Sequence, residues 1–138
     1  MTAWEIKGWC PGALRPMQSG DGLVTRIRPP MGRLTPLQAE AIAEAARAHG
    51  NGIIDLSARA NLQLRGVTET GHPRLIDALR AQGLIDPDIE TESLRNLIVT
   101  PFRDPETETL ATTLTAALTR MPHLPGKRIV DCELNMPE

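Results

Sequence analysis

Residues 56–66, LSARANLQLRG, run from the end of one apolar stretch into the start of another. Residues 52–56 (GIIDL) and 62–67 (LQLRGV) each have the length and branched-residue content of a short strand. Between them stand only Ser57, Ala58, Arg59, Ala60 and Asn61, a connection short enough for a hairpin. An antiparallel pair at mid-chain is therefore the unit around which the other elements are placed.

Downstream, residues 73–82 (PRLIDALRAQ) predict a helix with Leu75, Ile76 and Leu79 on its apolar side and Gly83 as its stop. Upstream, residues 23–28 (LVTRIR) alternate as a strand does. Leu23, Thr25 and Ile27 share one face, Val24, Arg26 and Arg28 the other, and Pro29, Pro30 and Gly32 end the run. Residues 35–50 carry a full set of helix signals: Thr35 as N-cap, Pro36 at the first helical position, Gln38 closing a capping box and Gly50 as the stop. Leu37, Ala41, Ala45 and Ala48 are expected to form a small-residue packing stripe. A fourth strand at residues 96–99 (NLIV) would complete the order β-α-β-β-α-β, so the fold class expected is α+β, a ferredoxin-like sandwich.

The chain divides into an irregular arm at 1–22, broken by Pro11, Gly12, Pro16, Gly20 and Gly22, the sandwich at 23–100, and a different pattern at 101–138. There Asp104 and Pro105 open a helix expected to run to Arg120, with Leu110, Leu114 and Leu118 in step, and residues 128–132 offer one more strand.

Composition excludes several classes of function. Aromatic residues make up 2% of the chain, too few for stacking on nucleic-acid bases, and a formal net charge of −2 rules out a general polyanion-binding surface. No apolar run approaches a membrane span, and the N-terminal MTAWEIKGWCPG lacks the basic-then-apolar order of a secretion signal, so the cytoplasm is the expected location. Cys10 and Cys132 stand at opposite ends of the chain, and His49, His72 and His123 are scattered singly, so no metal site is expected in this chain. Cys10, before Pro11 and Gly12, reads as a small buried residue at a turn, and His72, before Pro73, as a helix cap. Asp55, Glu69 and Asp77 read as solvated or salt-bridged, and no catalytic acid or base is assigned.

The chemistry-bearing residues are arginines at strand and loop positions: Arg26, Arg28, Arg59, Arg65 and Arg95. Converging on one sheet face they would clamp an oxyanion, since each guanidinium offers a planar fork of donors. Spacing alone leaves open the alternative that they are solvated residues that never meet.

The segment RANLQLRGV after the GIIDLS run resembles the stretch with which sulfite and nitrite reductases hold sirohaem. The likeness extends through GDGLVTRIRPPMGRLTPLQ, NGIIDLSARANLQLRG, ESLRNLIVTP and the shorter LPGKR, which together cover most of the chain. It implies a ferredoxin-like half-domain followed by the start of a sirohaem-reductase-type domain. It also implies a polycarboxylated tetrapyrrole, sirohaem or a precorrin, as partner. Carried over by position, the family's cofactor-binding residues fall on Arg26, Arg59, Gln63, Arg95 and Lys127, with Arg28 as the alternative to Arg26. A second lysine common in the family after Lys127 is replaced here by Ile129.

The leader WCPGALRPMQSGDGL resembles precorrin-3B synthases, oxidoreductases of aerobic cobalamin biosynthesis that hydroxylate a tetrapyrrole with oxygen. Family members also bind a 4Fe–4S cluster through four cysteines of their C-terminal half. This chain has two cysteines in no such spacing, so it is not expected to run the reaction alone. A nitrite or sulfite reductase fragment and a stand-alone, non-catalytic tetrapyrrole- or partner-binding module are the alternatives. The sheet face that would meet a sister half is expected to be apolar and to drive homodimer formation.

Overall fold

The computed structural model describes residues 10–95, 97–121 and 130–132 of the 138-residue chain. Its central element is a four-stranded antiparallel sheet of β1 (Met17–Ser19), β2 (Gly22–Ile27), β3 (Ile54–Leu56) and β4 (Leu62–Val67), in the order β1-β2-β4-β3. Between the pairs come α1 (Pro36–His49) and, after β4, α2 (His72–Ala81). The hairpin expected at residues 52–67 forms, with Ile54, Asp55 and Leu56 opposite Leu64, Gln63 and Leu62. Its five-residue loop is closed by Ser57, whose N–H donates to the Asn61 carbonyl at 2.9 Å and whose Oγ accepts from the N–H groups of Arg59 and Asn61.

Both helices cover one face of the sheet. Ile42, Ala45 and Ala46 of α1 and Leu75, Ile76 and Leu79 of α2 meet Ile27, Leu64 and Val67 in one core. The capping box of α1 is complete, with Thr35 Oγ1 accepting from the Gln38 N–H and the Gln38 side chain accepting from the Thr35 N–H. The packing stripe is not the one expected. Leu37 is 70% exposed and Ala48 is exposed, while Ile42 faces the sheet. Alanines surround α1 on nearly every side, so its apolar pattern has no sharp maximum. Its contact side is set by the one bulky branched residue, Ile42.

The α+β class holds, with a different fourth strand. Met17–Ser19, inside the stretch read as irregular arm, pairs with β2 through a turn at Gly20 and Asp21. Leu97–Val99 does not enter this sheet; as β5 it pairs in parallel with β6 (Val130–Cys132) in a separate two-stranded sheet. The physical reason is closure entropy: a two-residue turn fills the free edge of β2 at less cost than a segment some seventy residues away (roughly, by the logarithmic loop law). Between β5 and β6 runs α4 (Pro105–Leu118), capped by Asp104 as expected, and before β5 lies the short α3 (Ile89–Leu94), which periodicity did not reveal.

A shift of register between β2 and β4 places one extra residue on β4 opposite the span from Leu23 to Thr25. Gly66 absorbs it at φ +64, with the Asn51 side chain so close that a β-carbon would sit 2.9 Å from Asn51 Cβ. That is the bulge geometry glycine is suited to.

Candidate functional site

The second sheet face is built by strand alternation. Thr25 and Ile27 point under the helices, which turns Arg26 and Arg28 to the opposite side, and Leu64 in the core likewise turns Gln63 and Arg65 outward. Register brings Arg26 opposite Gln63, and Gln63 opposite Asp55. Arg26 Nη2 donates to Gln63 Oε1 at 3.0 Å, and Gln63 Nε2 donates on to Asp55 Oδ2 at 3.5 Å. Arg65 is held at the far side by Asp21 at 3.3 Å and Asp55 at 3.6 Å.

Four guanidiniums form a row. Burial pulls the pKa of Arg26 below its ordinary value; Cys10 opposes that shift and the nearby positive charge of Arg59 adds to it. Burial lowers that of Arg28 too, Glu92 working against it and the charges of Arg26 and Arg95 adding to it. Arg59 thus lies within electrostatic reach of Arg26, and Arg26 and Arg95 within reach of Arg28. The Nε atoms of Arg26 and Arg28 are buried without a hydrogen-bond partner among the described residues.

The members differ in how far they are committed. Arg95 is engaged, donating through Nε and Nη2 to Asp86 at 2.8 and 3.0 Å and to the Arg28 carbonyl at 2.7 Å. Arg28 donates to the Glu92 carbonyl. Arg59 stands exposed in the hairpin loop, and its guanidinium has no partner among the described residues. So Arg26, Gln63 and Arg59 come together, Arg95 joins through Arg28, and Lys127 lies outside the described residues. Sequence reasoning missed Asp86 and Glu92, since neither belongs to a motif and both read as ordinary acidic positions around a short helix.

Other expectations resolve differently. Cys10 is exposed, and its neighbours Pro11, Gly12 and Ala13 are the buried ones. His72 is the first residue of α2, capped by Gly71, and its Nε2 lies 2.8 Å from the Ala13 carbonyl oxygen. Asp77 pairs with Arg80 and Asp55 with Arg65, as salt-bridged surface acids. No group of three His, Cys, Asp or Glu side chains converges among the described residues. An open hollow of about 430 Å³ lies between Pro29, Leu34, Leu56 and Leu62. Ser57, Ala60 and Asn61 of the hairpin loop also line it, so the hollow adjoins the loop that carries Arg59. Among the described residues no helix is long and apolar enough to cross a membrane.

The family described as nitrite/sulfite reductase ferredoxin-like half domain matches residues 15–82, from the residue pair before β1 to just past α2. This stretch is a half-domain of that family. A precorrin-3B synthase from Sinorhizobium sp is 49% identical over 73 residues, 53% of this chain and 16% of that protein. The chloroplastic ferredoxin–nitrite reductase of Zea mays is 35% identical over 78 residues, 56% of this chain and 14% of the maize protein. The ferredoxin–nitrite reductase of Synechococcus elongatus is 33% identical over 88 residues, 63% of this chain and 17% of that protein. The chain thus spans about a sixth of the length of these relatives. Within the half-domain lie Arg26, Arg28, Arg59 and Gln63, while Arg95 falls beyond the matched stretch.

Proposed function

We propose that this chain is the N-terminal part of a precorrin-3B synthase-like oxidoreductase of aerobic cobalamin biosynthesis, in which the half-domain supplies a basic wall for the carboxylates of a tetrapyrrole. On this reading residues 23–100 are the half-domain and 101–138 open the following sirohaem/4Fe–4S-type domain. One observation supports it: Arg26 and Arg28 lie on the sheet face turned from α1 and α2, with Gln63 beside Arg26 and Arg59 of the hairpin loop within electrostatic reach of it.

The residues fit the carboxylate periphery of sirohaem or a precorrin. Among the described residues the buried Nε atoms of Arg26 and Arg28 have no acceptor, and the exposed Arg59 guanidinium has no partner. Gln63 orients Arg26, leaving its other donors for an oxyanion. Arg95 contributes at the end of the row through its charge, because Asp86 already occupies its fork. Lys127 is proposed as a further contact from the tail. Bound sirohaem would supply iron-centred redox chemistry in the full-length protein. A 4Fe–4S cluster does not fit this chain, which has two cysteines where a cluster takes four, so no step is assigned to it here.

The test is a titration of the purified chain with uroporphyrin, a porphyrin carrying carboxylates on every pyrrole, followed by absorbance. Saturable binding that weakens with added salt is expected. Arg59→Ala and Arg26→Ala should each weaken it about tenfold or more, the scale of one charge-assisted hydrogen bond. Absence of binding below millimolar porphyrin would overturn the reading for this chain. A ferredoxin–nitrite reductase fragment is the second reading, favoured by the longer stretch over which those relatives match. It predicts that sirohaem is preferred over a metal-free tetrapyrrole. A stand-alone binding module, the third, predicts undiminished affinity in the isolated chain.

A further inference from the structure

The half-domain reading leaves one buried acid without a role. Glu92 of α3 is 4% exposed, and its carboxylate is turned onto the backbone of the N-terminal arm. Oε1 accepts from the Ala13 N–H at 2.5 Å, and both oxygens lie 3.3 Å from the Leu14 nitrogen. Gly12 lies directly against it, and a β-carbon there would overlap the carboxylate. Two further bonds hold the same stretch. The Ala13 carbonyl meets His72 Nε2, and the Gly12 carbonyl accepts from the Arg26 N–H at 3.0 Å.

We propose that Glu92 is a latch that holds residues 10–14 closed along the edge of the arginine row, and that this strap opens without unfolding the half-domain. The latch ties α3 to the arm by its side chain and to β2 by its main-chain carbonyl, which accepts from Arg28. The closed strap places Cys10 within electrostatic reach of Arg26, so its state sets what stands beside that guanidinium.

Local opening is physically inexpensive. Of the strap, Ala13 is the one residue counted in the hydrophobic core, with Leu14 packed at its margin; the rest of that core, Ile27, Ile42, Leu64, Leu75 and Leu79 among it, comes from the sheet and the two helices. A segment held by few apolar contacts and a handful of hydrogen bonds opens at lower free energy than the core. Two opposed influences meet on the latch carboxyl. Burial raises the Glu92 pKa, while the Ala13 and Leu14 donors and the Arg28 charge lower it. Donors matched to the carboxylate are what make its removal specific to the strap.

Backbone amide hydrogen exchange on the full chain, read by NMR, tests the proposal without any ligand. In Glu92→Gln, and independently in Gly12→Ala, exchange at Ala13, Leu14 and Arg26 should accelerate about tenfold or more, the loss of one charge-assisted hydrogen bond. Exchange at Leu64, Leu75 and Leu79 should stay unchanged. Unaltered exchange at Ala13 and Leu14, or acceleration in step with the core, would overturn the latch. Should both variants fail to fold, the wild-type chain decides. A denaturant-insensitive opening at Ala13 and Leu14 supports the strap, and exchange only through global unfolding refutes it.

Discussion

Arg59 and Arg95 show how differently two arginines of one row are prepared. Arg95 lies 15% exposed against Asp86 at 12%, joined by two hydrogen bonds to one carboxylate. Removing the acid would strand a largely buried guanidinium, so Asp86→Ala should cost about 2–3 kcal/mol in denaturant unfolding. Arg59→Ala should leave unfolding within about 0.5 kcal/mol, because an exposed side chain without partners among the described residues contributes little to stability. A second prediction concerns Glu92, whose folded pKa lies above its ordinary 4.5 chiefly through burial. Between the unfolded value and the higher folded one, the folded state holds a proton that the unfolded chain releases. Stability from this group therefore increases as pH falls through that window and is lost as pH rises above it. Arg28, Asp86 and the arm donors face Glu92, and His72 faces the arm from α2. The difference in Tm between wild type and Glu92→Gln should shift in favour of wild type as pH is lowered toward the ordinary carboxyl value of 4.5. At this scale the sequence pointed to the arginines by residue type and resemblance, and it had no means of showing that Asp86 consumes one of them. An acid's partner depends on which loop passes within about 3 Å of it, a distance no spacing rule contains.

Helix boundaries were legible because capping chemistry is local. Thr35, Pro36 and Gln38 sit within four positions of one another, and their bonds form as the pattern requires. Thr35→Ala should lower stability by about 1 kcal/mol, measured by denaturant unfolding. The face that α1 buries was not legible, since its alanines blur the apolar side and leave Ile42 to choose it. Gly66 is the corresponding case in a strand. Its φ of +64 and the nearness of Asn51 make Gly66→Ala destabilising by about 1 kcal/mol or more. Nothing in LQLRGV announces the bulge beyond the presence of a glycine.

Across the whole molecule, the sheet face turned from α1 and α2 carries Arg26, Gln63, Arg65 and Asp55 beside the buried Val24, where an apolar surface for pairing was expected. The large exposed apolar side chains lie elsewhere, among them Leu37, Leu56 and Phe102 at 70%, 81% and 96%. Any homodimer through the sheet face would have to form against repulsion between like-charged rows. Sedimentation velocity should therefore show self-association of that kind only at high salt, where the row is screened. What the sequence determined by itself is the local and the periodic: the hairpin at residues 52–67, two capped helices, the alternation that keeps Arg26 and Arg28 off the core, and membership in the half-domain family. Each rests on residues that interact within a few positions or repeat with a fixed period. Only the tertiary structure decided which segment became the fourth strand of the main sheet, which side of α1 was buried, and which arginine Asp86 engaged. Those outcomes depend on competition between distant segments for one edge, one face or one carboxylate. LSARANLQLRG could place Arg59 on its loop, while only the fold brought Asp86 to Arg95 and the Glu92 carbonyl to Arg28, with Arg59 left without a partner among the described residues.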